Sequence, residues 1–281
     1  MQIIRTIKDM QALSGNIRNE HKTIGLVPTM GALHEGHMSL MKRSGDENDV
    51  SIVSIFVNPM QFGPKEDFMQ YPRDIEGDLN KLSSVKVDIV FFPDDKEMYP
   101  DGFSTSVNIG SAGEVLCGAS RHGHFNGVAT VVAKLCNIVM PHNAYFGQKD
   151  FQQTVVIKKL MKELNFDINV IVCPTVREHD GLAMSSRNIY LNHEERKAAT
   201  VLYRALKLGE ELISSKGLVD ASYIKNEMKN LINSVPVSNI DYVEIVTTEH
   251  LEKVEKIKSP VAICIAVRIG KTRLIDNIIT T

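Results

Sequence analysis

Val50 to Val57, VSIVSIFV, is an almost unbroken run of β-branched residues. A strand with one wet face alternates apolar and polar positions. One this uniformly apolar is buried on both faces, as in a parallel sheet covered by helices on either side. The flanking segments fit that architecture. Residues 3–20 read as a short strand and an amphipathic helix, and Ile24 to Val27 as a buried strand stopped by Pro28. Further strands are predicted at Val87–Phe92, Thr105–Ile109, Ala144–Phe146 and Ile168–Val172. Between them lie helical patterns: one after Gly36 with Leu40 and Met41 inward, one from Asp74 to Leu82, one from about Val128 to Val139, and one whose Ile157, Leu160, Met161 and Leu164 share a face. Strands alternating with helices predict an α/β fold built on a doubly wound, Rossmann-like parallel sheet.

After Pro174 the pattern changes. A polar loop over 176–188 precedes a helix starting at Asn192, where Glu195 completes a capping box and Val201, Leu202, Ala205, Leu208 and Leu212 supply an apolar face. A second helix, from Asp220 to Ile232, leads into strands near Tyr242–Val246, Ala262–Val267 and Thr272–Asp276. This predicts a smaller C-terminal α+β domain, dividing the chain into residues 1–175 and 176–281.

Composition removes several classes of function. The net charge of -2 provides no broad basic surface for nucleic acid, so any phosphate site is local. Cys117, Cys136, Cys173 and Cys264 form no C-x-x-C pair and read as buried thiols of a reducing cytoplasm. The N-terminus lacks the apolar core of a secretory signal, and no run approaches the ~20 apolar residues that a membrane helix needs.

In an open α/β sheet, ligands sit beyond the carboxyl ends of the strands, at the switch point. The polar clusters fall there: His34 and His37, Asn58 and Gln61, and Gly147 to Asp150 each follow a predicted strand. The first cluster belongs to Ile24–Leu40, IGLVPTMGALHEGHMSL, where strand, glycine turn and helix succeed one another. That layout aims backbone N–H groups at an anion. His37, Leu40, Met41 and Ser44 keep helical spacing, which puts His37 on the inward edge of the first turn. Competing readings are a metal pair, surface histidines, or residues that only cap the helix. A metal pair lacks both an H-E-x-x-H and a nearby third ligand.

Other polar groups admit two readings each. Lys149 and Gln153 lie four apart on the predicted inner face of one helix, either reaching water or meeting a phosphate and a polar substrate group. Gln61 alone is a loop residue; paired with Gln153, it offers amides suited to a small hydroxy acid, and Asn58 joins them on the substrate side. Met184, Ser185, Ser186 and Arg187 form either a flexible interdomain linker or a loop that closes on a triphosphate. Arg121, His122 and His124, beside two glycines, suit an anion-facing loop better than a zinc site. The stretch to about Arg73 reads as a lid, and Asp78 beyond it as a surface acid, with Mg²⁺ as its less favoured role.

Taken in order, PTMGALHEGH, NPMQF, YPRD, RHGHFNGVATVV, YFGQKDFQQ and DGLAMSSRN resemble the pantoate–β-alanine ligase family over nearly the whole chain. H-E-G-H is similar to the H-x-G-H of the wider nucleotidyltransferase superfamily, and Met184–Arg187 to its K-M-S-K-S loop with the lysines replaced. The resemblance implies a ligase that activates pantoate with ATP as pantoyl adenylate, then passes the acyl group to β-alanine, with AMP and pyrophosphate as by-products. It implies that Met30, Gly31, Ala32, Leu33, His34, Glu35, Gly36 and His37 bind ATP, with His37 as proton donor and His34 and Lys149 beside it in catalysis. It places Gly147, Gln148, Lys149 and Asp150 on ribose and phosphate, Val176 on adenine and Met184 to Arg187 over the triphosphate. Gln61 and Gln153 take pantoate, and Gln61 also β-alanine. Mg²⁺ rides on the nucleotide with no protein ligand assigned. The resemblance also implies a cytoplasmic homodimer. One departure is His122, where the family usually has proline; it removes a fixed φ and adds a titratable group.

Overall fold

A computed structural model describes every residue except Lys65, Ser259 and Thr281. Lys65 falls within the expected lid, so that position of the loop lies outside the described residues. The chain forms two compact units. The first comprises residues 1–114, 118–147 and 156–173, and the second residues 115–117, 148–155 and 174–281.

The first unit holds strands β1 (Gln2–Ile4), β2 (Ile24–Thr29), β3 (Val50–Ile55), β4 (Ile89–Phe91), β5 (Asn143–Gly147) and β6 (Asn169–Cys173). They form one six-stranded sheet in the order β1-β4-β3-β2-β5-β6, every pair parallel. The chain winds outward from β2 through β3 to β4, then resumes on the other side with β5, so β2 and β5 flank the switch point. Its helices are α1 (Ile7–Asn19), α2 (Glu35–Glu47), α3 (Ile75–Leu82), α4 (Asp95–Met98), α5 (Cys117–Ser120, its first residue in the second unit), α6 (His124–Val139) and the later part of α7 (Phe151–Glu163). Val27, Val53, Val90 and Tyr145 of the sheet pack with Met38, Leu40 and Met41 of α2 and Leu82 of α3. The other helices α1 and α6 pack on each other and on β2.

Thr105–Ile109 is not a strand. The Val107 N–H donates to Thr130 Oγ1 (2.9 Å) and the Ile109 N–H to Asn126 Oδ1 (3.1 Å), so side chains of α6 take the bonds that a ladder would have taken. The apolar face expected of α7 also stops early: Ile157 and Leu160 are buried, whereas Leu164, beyond the helix end, is exposed.

In the second unit, α8 (His193–Ala198), α9 (Val201–Ser214) and α10 (Ala221–Asn233) accompany an antiparallel sheet of β7 (Ser238–Thr247), β8 (Val261–Ile269) and β9 (Thr272–Thr280). Leu202, Leu206 and Leu212 of α9 pack with Ile224 and Met228 of α10 and with Ile263 and Ile265 of β8. Asn192 and Glu195 form the expected capping box. The single helix expected after it is two, because around Ala199 and Thr200 the bonding tightens to i→i−3, Thr200 N–H to Lys197 O and Leu202 N–H to Ala199 O. All four cysteines are buried. Among the described residues no helix is long and apolar enough to cross a membrane.

Candidate active site

The turn between β2 and α2 follows the strand at the switch point. Gly31 and Ala32 both take left-handed backbone, φ +80° and +51°. Glycine adopts this freely, but alanine does so under strain, so something must hold Ala32 there. The holder is Asp78 on α3, whose Oδ2 accepts the Ala32 N–H (2.9 Å) and Oδ1 the Leu33 N–H (2.8 Å). Lys81, one turn further on, donates to the Leu33 carbonyl (2.6 Å). Asp78 is only 2% exposed, so its reading as a surface acid is overturned. Burial pushes its carboxyl above the ordinary range, and the two backbone donors pull the other way.

These bonds also correct the idea that the turn presents its amides to an anion. Besides Ala32 and Leu33, Gly31 N–H donates to Thr29 Oγ1 (3.2 Å), His34 N–H to His37 Nδ1 (3.3 Å) and Gly36 N–H to His34 Nδ1 (3.1 Å). His34 is the N-cap of α2 and His37 completes its capping box. The imidazole rings lie 4.0 Å apart, centroid to centroid. Because Nδ1 accepts in both, each neutral ring carries its proton on Nε2. What this turn could offer an anion is therefore imidazole N–H rather than a cradle of amides.

Beyond β3, Asn58 caps the 3-10 turn Pro59–Gln61. Asn58 was expected on the substrate, but it is 1% exposed and its amide is fully engaged. Its Nδ2 donates to Gln61 Oε1 (3.0 Å) and Gly127 O (3.1 Å), while Oδ1 accepts from Tyr99 OH (2.7 Å) and Met60 N–H (3.3 Å). Asn58 therefore orients Gln61, whose Nε2 in turn donates to Met30 Sδ (3.0 Å). Gly127 makes this packing possible, since its α-carbon approaches the Met60 carbonyl too closely for any side chain.

Arg121 does not face an open anion site. Its guanidinium forks onto the Glu66 carboxylate (2.7 and 2.6 Å) and meets His124 Nε2 (2.9 Å), while His124 Nδ1 contacts the Gln61 carbonyl (2.7 Å). Burial works against ionisation of Glu66, yet Arg121, together with the Gly63 backbone and His124, outweighs it and holds the carboxyl below its ordinary range. His122, in the family's proline position, is exposed. The loop expected as a lid carries its own core, Phe62 stacking edge-on with Phe68 and Tyr71 at 5.3 and 5.8 Å. A cavity of about 470 Å³ opens beside Met30, Gly31, Phe56, Arg73 and Asp78.

In the second unit, Gln148–Asp150 is a 3-10 turn anchored by Asn277 of β9, whose Nδ2 donates to the carbonyls of Gln148 (2.8 Å) and Lys149 (2.9 Å). Asp276 holds the Asn277 N–H (2.8 Å) and takes both arms of Arg177 (2.6 and 3.0 Å). Lys149 is 20% exposed and only loosely paired with Asp150, at 3.8 Å. Gln152 is buried on backbone partners, donating to Val115 O (2.7 Å) and accepting from Cys117 N–H (3.0 Å), whereas its neighbour Gln153 is half-buried. The loop 176–188 is more built than the flexible segment expected. The Met184 N–H donates to Val176 O (3.0 Å), Glu178 N–H to Leu182 O (2.8 Å), and Asn188 ties to Glu178 and the Ala183 carbonyl. Ser185 caps the 3-10 turn Ser186–Tyr190 by accepting the Arg187 N–H (3.3 Å). Gly147, at the end of β5, has no atom within 4 Å of where a Cβ would stand, so its lack of a side chain leaves open space.

Sheet order and turn together define a doubly wound α/β protein, a class that takes its ligands beyond the carboxyl ends of the strands. A family model for pantoate-beta-alanine ligase matches residues 2–279. The pantothenate synthetase of Acetivibrio thermocellus is 55% identical over 279 residues, covering 99% of both chains. That of Thermosipho africanus is also 55% identical, over 99% of this chain and all of its own. The crystal structure of pantothenate synthetase from Thermus thermophilus superposes with a TM-score of 0.93 at 42% identity, over 99% of each chain. The Francisella tularensis pantoate-beta-alanine ligase, solved with beta-gamma ATP and beta-alanine, does so at 0.82 and 37% identity, over 99% of this chain and 97% of that one. The chain belongs to the pantoate–β-alanine ligase family. It is a ligase that forms pantothenate.

Proposed function

We propose that this ligase works in two steps on ATP. A pantoate carboxylate oxygen attacks the α-phosphorus, a new P–O bond forms, and pyrophosphate leaves. The neutral amine of β-alanine then attacks the acyl carbon of pantoyl adenylate, the C–O bond to AMP breaks, and the nitrogen gives up a proton. The observation that carries this reading is the pair of rings at the switch point, His34 and His37, each an Nε2–H donor. Donors of fixed orientation stabilise charge that develops on phosphoryl oxygens in the transition state. In this reading His37 donates to the phosphates, with His34 beside it. Met30 to His37 line the nucleotide's place in the first unit, and Gly147 leaves room for close approach. Gln61, held by Asn58, takes pantoate and then β-alanine.

The second unit contributes Gln148, Lys149 and Asp150 to ribose and phosphate, with the Lys149 ammonium on phosphate. Gln153 takes pantoate, Val176 takes adenine through its backbone, and Met184, Ser185, Ser186 and Arg187 take the triphosphate. The family resemblance supports these roles, and the loose Lys149–Asp150 pair leaves that ammonium able to exchange partners. The triphosphate would carry Mg²⁺, which would supply neutralisation of phosphate charge. Asp78 is committed to the amides of Ala32 and Leu33, and this reading assigns it no role with the ion. A cytoplasmic homodimer with no nucleic acid or membrane partner completes the reading; sedimentation equilibrium tests the dimer.

The deciding experiment follows AMP and pyrophosphate with purified protein, Mg²⁺, ATP, pantoate and β-alanine, omitting each substrate in turn. AMP release that requires both acids, with pantoate-dependent exchange of labelled pyrophosphate into ATP, supports the two steps. Turnover without any such exchange refutes a freely reversible adenylate.

A further inference from the structure

We infer that Asp78 is a positioning residue of the reaction: as a built-in anion it fills the β2–α2 turn and sets the stance of His34 and His37. The inference deepens the adenylation reading and rests on it for its kinetic arm.

The turn has the form of an anion nest, successive N–H groups converging from left-handed backbone. Its anion comes from the protein. Both carboxylate oxygens of Asp78 are engaged, one per amide, at 2.9 and 2.8 Å. A Cβ on Gly31 would lie 2.9 Å from Asp78 Oδ2, so glycine is required here by close approach as well as by φ. Lys81 fixes the Leu33 carbonyl from the same helix, so α3 holds Leu33 by both its backbone N–H and its carbonyl. Leu33 is followed at once by His34, whose ring and backbone close the capping box with His37. A shift of Ala32 and Leu33 therefore passes directly into both rings. A buried carboxylate is costly unless hydrogen-bonded, and its desolvation is tolerated here because two backbone donors meet it.

Ile75, Asp78, Leu79 and Leu82 keep i, i+3, i+4, i+7 spacing, so the acid occupies a core-facing position of an amphipathic helix. A residue there that served only the helix would be apolar.

The test is Asp78→Asn, which keeps the shape, removes the charge and turns one acceptor into a donor against an N–H. ¹⁵N spectra of histidine-labelled protein read the acceptor state of His34 and His37 without substrate. Moved Nδ1 resonances for both rings are expected, together with a turnover loss of ~10–10²-fold, the scale of an ångström-sized misplacement. Asp74→Ala serves as the control, because its side chain caps the same helix at the Gly77 N–H rather than holding the amides of Ala32 and Leu33. It should leave both rings' resonances in place. Unchanged resonances in a folded Asp78→Asn protein overturn the inference, as do equal shifts in Asp74→Ala. If Asp78→Asn does not fold, amide exchange in the unaltered protein decides: Ala32 and Leu33 must be protected, and rapid exchange at both overturns the inference. Shifted rings in a protein whose unaltered form makes no pantothenate would refute the proposed reaction and leave the positioning role standing.

Discussion

Replacing Gly127 with alanine tests whether Gln61 must stand where it does. Gly127 lies in the first turns of α6 against the backbone of Pro59–Gln61. An added Cβ would be 2.2 Å from the Met60 oxygen, 2.5 Å from its carbonyl carbon and 2.8 Å from the Gln61 nitrogen. Ordinary contact begins near 3.4 Å, so the 3-10 turn must retreat by about 1 Å. Both neighbours are backbone, so no side chain can swing aside. Misplacement on that scale costs on the order of 10²-fold in a positioned reaction. The same crowding should cost ~1–3 kcal/mol of stability, partly offset by the ~0.5–1 kcal/mol that alanine gains over glycine in a helix. Steady-state kinetics with pantoate varied at saturating ATP, alongside urea unfolding, separates the two effects. Gly15→Ala in α1, where the new methyl meets nothing within 4 Å, should stabilise the protein and leave kcat/KM alone. A folded Gly127→Ala protein with unaltered kcat/KM for pantoate would refute the reasoning, because Gln61 would have moved at no cost.

His37→Ala should lower turnover by ~10²–10⁴-fold, the range for a proton-transferring or oxyanion-stabilising group, and near-normal turnover would remove it from the chemistry. Gln153→Ala should weaken pantoate binding in calorimetry while ATP affinity holds; equal loss of both contradicts its assignment. His142 should make the fold sensitive to mild acid. Its Nδ1 accepts the Ile24 N–H (2.9 Å), and burial, aided by Arg18 and opposed by Asp167 and Asp49, lowers its pKa. A lowered histidine pKa means that the folded state disfavours the proton. Its contribution is therefore whole above about 6.5, the ordinary value, and is lost as the pH falls through the folded value. The Tm of the unaltered protein should fall more steeply below pH 6.5 than that of His142→Asn, and parallel slopes would rule His142 out.

The parts of this molecule legible in its sequence are those written locally. The β-branched run at Val50–Val57 announces a sheet covered on both faces, and Asn192 with Glu195 announces a helix start three residues apart. The placing of polar clusters after strands is likewise a local pattern. What escaped depends on partners distant in sequence. Asp78 meets amides 45 and 46 residues away, and Asn58 is satisfied by Tyr99 and Gly127, 41 and 69 residues on. Arg121 reads as a free cation until Glu66, 55 residues earlier, is seen to hold it. Thr105–Ile109 has strand composition, yet Asn126 and Thr130 claim its amides first. The buried acid did leave a trace, its place on the apolar stripe of α3, which a reading of that helix as a surface element passes over.

The Nδ1 atoms of His34 and His37 also begin a helix, and this joins two properties usually treated apart. A ring that takes a second proton on Nδ1 ceases to accept, so the first turn of α2 loses a cap in the same event that changes the ring's charge. Each proton arriving from solvent thus competes with a backbone amide for one lone pair. The start of the helix and the acceptor state of the rings are thus one structural property, and any change that takes the Nδ1 lone pairs should show as local fraying at Glu35–Met38.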